Sequence, residues 1–172
     1  YDVSRFVNRG ILESINSEMP LYLKVAFTDA LYSVLNMKNA RPMESLLVGS
    51  LRQKARQRAQ ELVRRVPEGA RVLLIGAVAE IAEEAALRNI DLTVLDLEPQ
   101  KIGLTLQNLK VESSGETLVL QQKIMNSDYI IATGMIFVTD TADEIFQLAN
   151  GHGSKIIMYM ETGSNFGQEL IG

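Results

Sequence analysis

The sequence has no cysteine and a single histidine, His152, among its 172 residues. Disulfides, thiolate metal sites and cysteine nucleophiles are therefore excluded. A transition-metal site of the usual kind needs several His or Cys ligands, and these are lacking. No Ser-His-Asp set can be assembled either. His152 lies in Asn150-Gly151-His152-Gly153, a helix-ending segment on the side opposite the expected ligand crevice, and reads as a surface residue. No apolar run approaches the roughly 18 residues of a membrane span. There is also no basic-then-apolar leader. Positive charge is not in excess: the formal net charge is -4, so nothing global points to nucleic acid. These absences predict a soluble, cytoplasmic chain with no nucleic-acid or membrane partner. The chain begins at Tyr1 and stops at Gly172, just as a new helix starts, and both ends are expected to be trimmed.

The composition itself is that of a globular protein, with 47% hydrophobic and 22% charged residues. Residues 1–66 read as a helical segment. Leu23, Ala26, Phe27, Ala30, Leu31, Val34 and Leu35 recur at helical spacing within Tyr22 to Met37. Pro42 breaks that helix. A second, from about Met43 to Val66, carries the stripe Val48, Leu51, Ala55, Ala59, Leu62 and Val66. Arg52, Lys54, Arg56, Arg58, Arg64 and Arg65 lie between them and read as a solvated face, since no aromatic residues interleave.

Pro67-Glu68-Gly69 marks a change of pattern. Residues 67–172 alternate short apolar runs with helical segments. The runs are Val72–Ile75, Leu92–Leu95, Tyr129–Ala132 and Ile156–Met160; the helical segments include Val78–Leu87 and Thr141–Ala149. Strands apolar on both faces belong to a parallel sheet covered on both sides. The expected fold class is thus α/β: a small parallel, Rossmann-like sheet flanked by helices and preceded by an N-terminal helical segment. Ile102 to Gln122 is ambiguous, with a helix at its start and a short strand at Thr117-Leu118-Val119-Leu120 as the expectation.

Ligands of open parallel sheets bind beyond the carboxyl ends of the strands. Four such ends are small or polar here: Gly76; Asp96 with Glu98; Thr133-Gly134; and Thr162-Gly163-Ser164-Asn165 after Glu161. Thr139, Asp140 and Thr141 add polar groups before the next helix, where they serve as caps or as part of an anion site. The first turn, Gly76-Ala77-Val78-Ala79-Glu80-Ile81, has one glycine where the dinucleotide fingerprint needs three. Val78 would obstruct a pyrophosphate, so NAD and FAD are disfavoured. Asp96 follows Gly76 at the spacing of a ribose-binding carboxylate, a layout similar to S-adenosylmethionine methyltransferases. Asp96, Glu98 and Glu161 are the only carboxylates placed for a hard cation.

Asp128-Tyr129-Ile130-Ile131-Ala132-Thr133-Gly134, followed by Thr139-Asp140-Thr141, resembles the uncharacterised Rossmann-like family labelled as a heavy-metal chelation domain. Arg71–Gly76, Leu92–Pro99 and Glu161–Phe166 are similar to further strand ends of that family. Ala26–Asn36 resembles the helix linking its small N-terminal domain to the Rossmann part. The first turn departs from the family, which carries bulky and proline residues where this chain has Ala77-Val78-Ala79. The resemblance implies a metal-related role. With no cysteine and one histidine, the residues imply that any metal arrives as a complex with a small organic ligand.

Three functions stay open. The first is a protein binding a small molecule or metal complex at the strand ends. The second is an enzyme dependent on S-adenosylmethionine or another nucleoside, resting on Gly76 and Asp96. The third is an assembly module that forms a homodimer through the N-terminal helices. The residues leave open whether any reaction is catalysed.

Overall fold

Strands and helices alternate from residue 71 onward, because each apolar run is too short for a helix and is closed by a turn. The computed structural model describes residue 15 and residues 18–38 and 48–160. Two helices come first, α1 (Leu21–Lys38) and α2 (Leu51–Val63). They are followed by β1 (Arg71–Ile75), α3 (Ala79–Leu87) and β2 (Asp91–Asp96). Three two-residue strands come next: β3 (Thr105–Leu106), β4 (Leu109–Lys110) and β5 (Glu112–Ser113). The chain continues through α4 (Thr117–Met125), β6 (Tyr129–Thr133), the single turn α5 (Met135–Val138), α6 (Ala142–His152) and β7 (Lys155–Tyr159).

The chain divides into two compact units. Residues 43–133 and 142–159 hold the whole sheet, with α2, α3, α4 and α6. The other unit comprises, among the described residues, α1 and residues 134–141, and in it α1 packs on α5. Helix α2 groups with the sheet in this division.

The sheet is five-stranded and parallel in the order β5-β2-β1-β6-β7. This is an α/β, Rossmann-like architecture. Side chains alternate across each strand, and both faces are covered. Val72, Leu74, Leu92, Val94 and Ile131 pack with Ala59, Leu62 and Val63 of α2 and Ile81, Ala82 and Ala85 of α3. Leu73 and Ile130, fully buried, point to the opposite face, which α4 and α6 cover through Leu120, Ile124, Ile145 and Ala149.

Asp128 fastens the amino ends of three strands. Its N–H donates to the Arg71 carbonyl, and its carbonyl accepts from the Lys155 N–H. Its carboxylate accepts from the Arg71 N–H at 2.9 Å and from the guanidinium at 2.7 and 3.2 Å. Those hydrogen bonds hold the Asp128 carboxyl at about 2.

Three expectations need correction. Thr117–Leu120 is not a strand but the first turn of α4. Its apolar run mimics a strand, but the buried positions are Leu120 and Ile124, four apart, which is helical spacing. No helix begins at Ile102: Lys101–Gly103 form a turn, followed by the β3–β4 hairpin. Gln107 and Asn108, both at positive φ (47° and 68°), make its tight bend. Helix α2 also starts later than Met43, at Leu51. Ser50 accepts from the Gln53 N–H while the Gln53 side chain accepts from the Ser50 N–H. This reciprocal cap fixes the start and leaves Val48 and Leu51 exposed.

Candidate functional site

The chain leaves β1 to form β2 on one side, then returns to form β6 on the other. In open parallel sheets, ligands bind at the carboxyl ends where the direction of winding reverses, which here falls between β1 and β6. Gly76 and Thr133 stand at that point.

Gly76 has φ +94°, a conformation that L side chains rarely adopt. Its N–H donates to the Leu95 carbonyl at 2.8 Å, which folds the turn against β2. A Cβ at this position would collide with the Thr133 hydroxyl and stand 2.8 Å from its methyl group. Glycine is thus required twice, by backbone angle and by contact. Thr133 is only 7% exposed, and its Oγ1 has no hydrogen-bond partner among the described residues. A buried hydroxyl without a partner costs about 1–3 kcal/mol. This is therefore the least satisfied polar atom of the crossover.

Asp96 ends β2 and is 5% exposed. Its Oδ2 accepts from the Ala77 N–H at 2.7 Å and its Oδ1 from the Glu98 N–H at 2.8 Å. Lys101 Nζ lies 3.5 Å from Asp96 Oδ2 and 2.7 Å from Glu98 Oε2. Burial pushes the Asp96 carboxyl up, but the two amides and Lys101 outweigh it, and the pKa falls below 3.8. Glu98 and Asp96 together raise the pKa of Lys101 against the effect of its own burial. Asp96 is thus a strap between the β1 and β2 turns. A ribose diol would have to share carboxylate oxygens that backbone amides already hold. Lys101 supplies the positive charge between Asp96 and Glu98, and among the described residues no group of three His, Cys, Asp or Glu is placed to hold a metal ion.

Helix α3 begins directly after this turn. Its cap residue is Val78, which offers no side-chain hydrogen bond to the first amides. The valine that argued against a pyrophosphate thus occupies the cap.

Of the residues picked out from sequence, Gly76, Asp96, Glu98 and Thr133 lie in the sheet unit. Gly134, Thr139, Asp140 and Thr141 fall in the other compact unit. There the Thr139 hydroxyl donates to the Met135 carbonyl at 2.9 Å and lies 3.0 Å from that of Thr141, which bonds back to the Ile136 carbonyl. Both hydroxyls close the α5 turn, and Asp140 sits between them at φ 59°. Thr162, Gly163, Ser164 and Asn165, with Glu161, lie outside the described residues. Lys101 was missed in the sequence reading; its signal was the three-residue spacing from Glu98 across the turn after Pro99. His152 ends α6 and is exposed.

No known sequence family and no curated protein sequence matches this chain. Solved structures do. A protein of unknown function from the DUF364 family of Pyrococcus horikoshii aligns with a TM-score of 0.57 at 16% identity, over 86% of this chain and 51% of that one. Another DUF364 protein of unknown function, from Desulfitobacterium hafniense DCB-2, aligns with a TM-score of 0.52 at 13% identity, over 80% and 46%. The chain spans about half the length of either. At such identities the likeness is one of fold. It agrees with the resemblance drawn from Asp128–Ala149 at the level of an uncharacterised, Rossmann-like protein.

Proposed function

We propose that this chain binds a small polar molecule at the carboxyl ends of the parallel strands, with Gly76 and Thr133 at the centre of the site. The observation that carries the reading is the Thr133 hydroxyl, buried beside the glycine at the crossover and without a partner among the described residues. A ligand oxygen or nitrogen would satisfy it, and the bare Gly76 backbone lets a ligand come close. The same chemistry admits a metal held as a complex with a small organic ligand, recognised through that ligand's polar atoms. The engagement of both Asp96 oxygens weighs against the nucleoside-dependent enzyme, since the residue assigned to the ribose is holding the turns together.

Thermal-shift screening tests this reading, using nucleosides, polar metabolites and metal chelates against the wild type and Thr133→Val. Valine replaces the hydroxyl with a methyl of similar size, so folding is expected to survive. A ligand at about 100 times its Kd stabilises by about 2.7 kcal/mol, which is a shift of several degrees. The expected result is a shift in the wild type that the valine variant loses. A ligand that stabilises both proteins equally would count against the site, and a screen without any stabilising compound would count against the function.

A further inference from the structure

At the other end of the strands, the sheet unit contains a cavity of about 460 Å³. This is within the range of small-ligand pockets. Arg71 of β1 and Asp91 and Thr93 of β2 form its floor, and Gln122, Lys123 and Asn126 near the end of α4 form its wall. It shares no residue with the crossover.

The floor is unusual for a parallel sheet. Thr93 pairs in register with Leu73, so the two share a face, and Leu95 follows on the same face of β2. Both leucines are fully buried, whereas Thr93 is a half-buried hydroxyl. Apart from Val72, whose side chain packs on the other face of the sheet, every lining residue is polar or charged, so an apolar ligand would leave polar walls unsatisfied.

Charge narrows the choice. Both cations of the lining are matched by carboxylates outside it: Arg71 by Asp128 at 2.7 Å, and Lys123 by Glu112 at 2.8 Å. Asp91 lies close enough to favour the charged form of Arg71 but has no hydrogen bond or ion pair of its own among the described residues. The unmatched charge of the cavity is therefore negative. Around it stand the hydroxyls of Thr93 and Ser127, the latter already donating to the Lys123 carbonyl at 2.7 Å, and the carboxamides of Gln122 and Asn126, all able to donate and accept.

We propose that this cavity is a second binding site, for a small polyhydroxylated amine of the amino-sugar class. The ammonium pairs with Asp91, and the hydroxyls bond to Thr93, Gln122 and Asn126. The site is independent of the crossover reading.

The test is an NMR titration of the whole chain, labelled with ¹⁵N, using glucosamine and glucose as probes. Glucosamine is expected to shift the amides of residues 91–93 and 122–127 while leaving 76 and 133 unmoved. Glucose, which lacks the ammonium, should bind about tenfold more weakly, the worth of one charge-assisted hydrogen bond. Asp91→Asn, an exposed change with no partner to lose, should remove the difference between the two sugars. Thr93→Val should weaken both. The proposal is overturned if glucosamine gives no saturable shift, if the sugars bind equally to the wild type, or if Asp91→Asn leaves the preference intact. Shifts centred on Gly76 and Thr133 would overturn it too, and would instead support the crossover site.

Discussion

Gly76→Ala separates two costs that are usually confounded. The alanine must hold φ near +94°, which costs roughly 1–2 kcal/mol for an L residue. Its Cβ must also displace Thr133, whose hydroxyl, methyl and Cβ all lie within 3.0 Å of it. Overpacking of that kind costs about 1–3 kcal/mol, so the total is about 2–5 kcal/mol. That is a large share of the stability of an ordinary domain. Gly69 supplies the control. It too has a positive φ, +74°, but a Cβ there meets nothing within 4 Å. Gly69→Ala should cost only the backbone part. Urea denaturation measures both, and an unchanged m-value certifies that the same transition is being compared. Thr133→Ala in the Gly76→Ala background should recover about 1 kcal/mol or more of the steric part. It should not recover the backbone part. The reasoning is refuted if the two glycine variants lose equal stability, or if the losses from Gly76→Ala and Thr133→Ala simply add.

Other measurements follow from the same geometry. Asp96→Asn puts an amide where two backbone N–H groups expect an acceptor, and should cost about 2 kcal/mol. Because the folded state lowers the pKa of Asp96 below 3.8, its stabilisation is complete above the ordinary carboxylate range and is lost as pH falls through the lowered value. A pH series of urea midpoints should therefore decline less steeply for the asparagine variant in that acid window; parallel declines would contradict the strap. Ser50→Ala removes the cap of α2 and should cost about 1 kcal/mol. Faster hydrogen exchange confined to the first turn after residue 50 would locate the loss, whereas unchanged exchange there would show that the cap contributes nothing.

The strands legible in the sequence are those with unbroken apolar runs, whether central and buried like β1 or at the edge and half-buried like β7. Val72–Ile75 and Tyr129–Ala132 could be read as continuous apolar runs because no solvent-facing alternation interrupts them. The stretch from 102 to 122 could not be read this way. Its three strands are two residues each, below the length at which a period is detectable. The first turn of α4 presents Leu118-Val119-Leu120, an apolar run, with Leu118 left exposed. The individual site residues were legible as turn chemistry, but their pairings were not. That Gly76 meets Thr133 depends on β6 lying beside β1, and that Asp96 holds Ala77 depends on the β1–β2 register. Neither fact is local in sequence. Lys101 escaped notice because a lysine in a turn has no distinguishing neighbours until Asp96 and Glu98 are brought to it.

The fastening of three strands by Asp128 divides the sheet into two ends under different demands. At the amino end a single residue sets the alignment of β1, β6 and β7, and a slip of β6 by one residue would turn Ile130 and Ile131 to the wrong faces. At the carboxyl end the demand is on the turns instead: Gly76 must be glycine to pass Thr133, and Asp96 must be an acceptor to hold the turns after β1 and β2. Alignment is thus set at one end of the sheet and turn shape at the other.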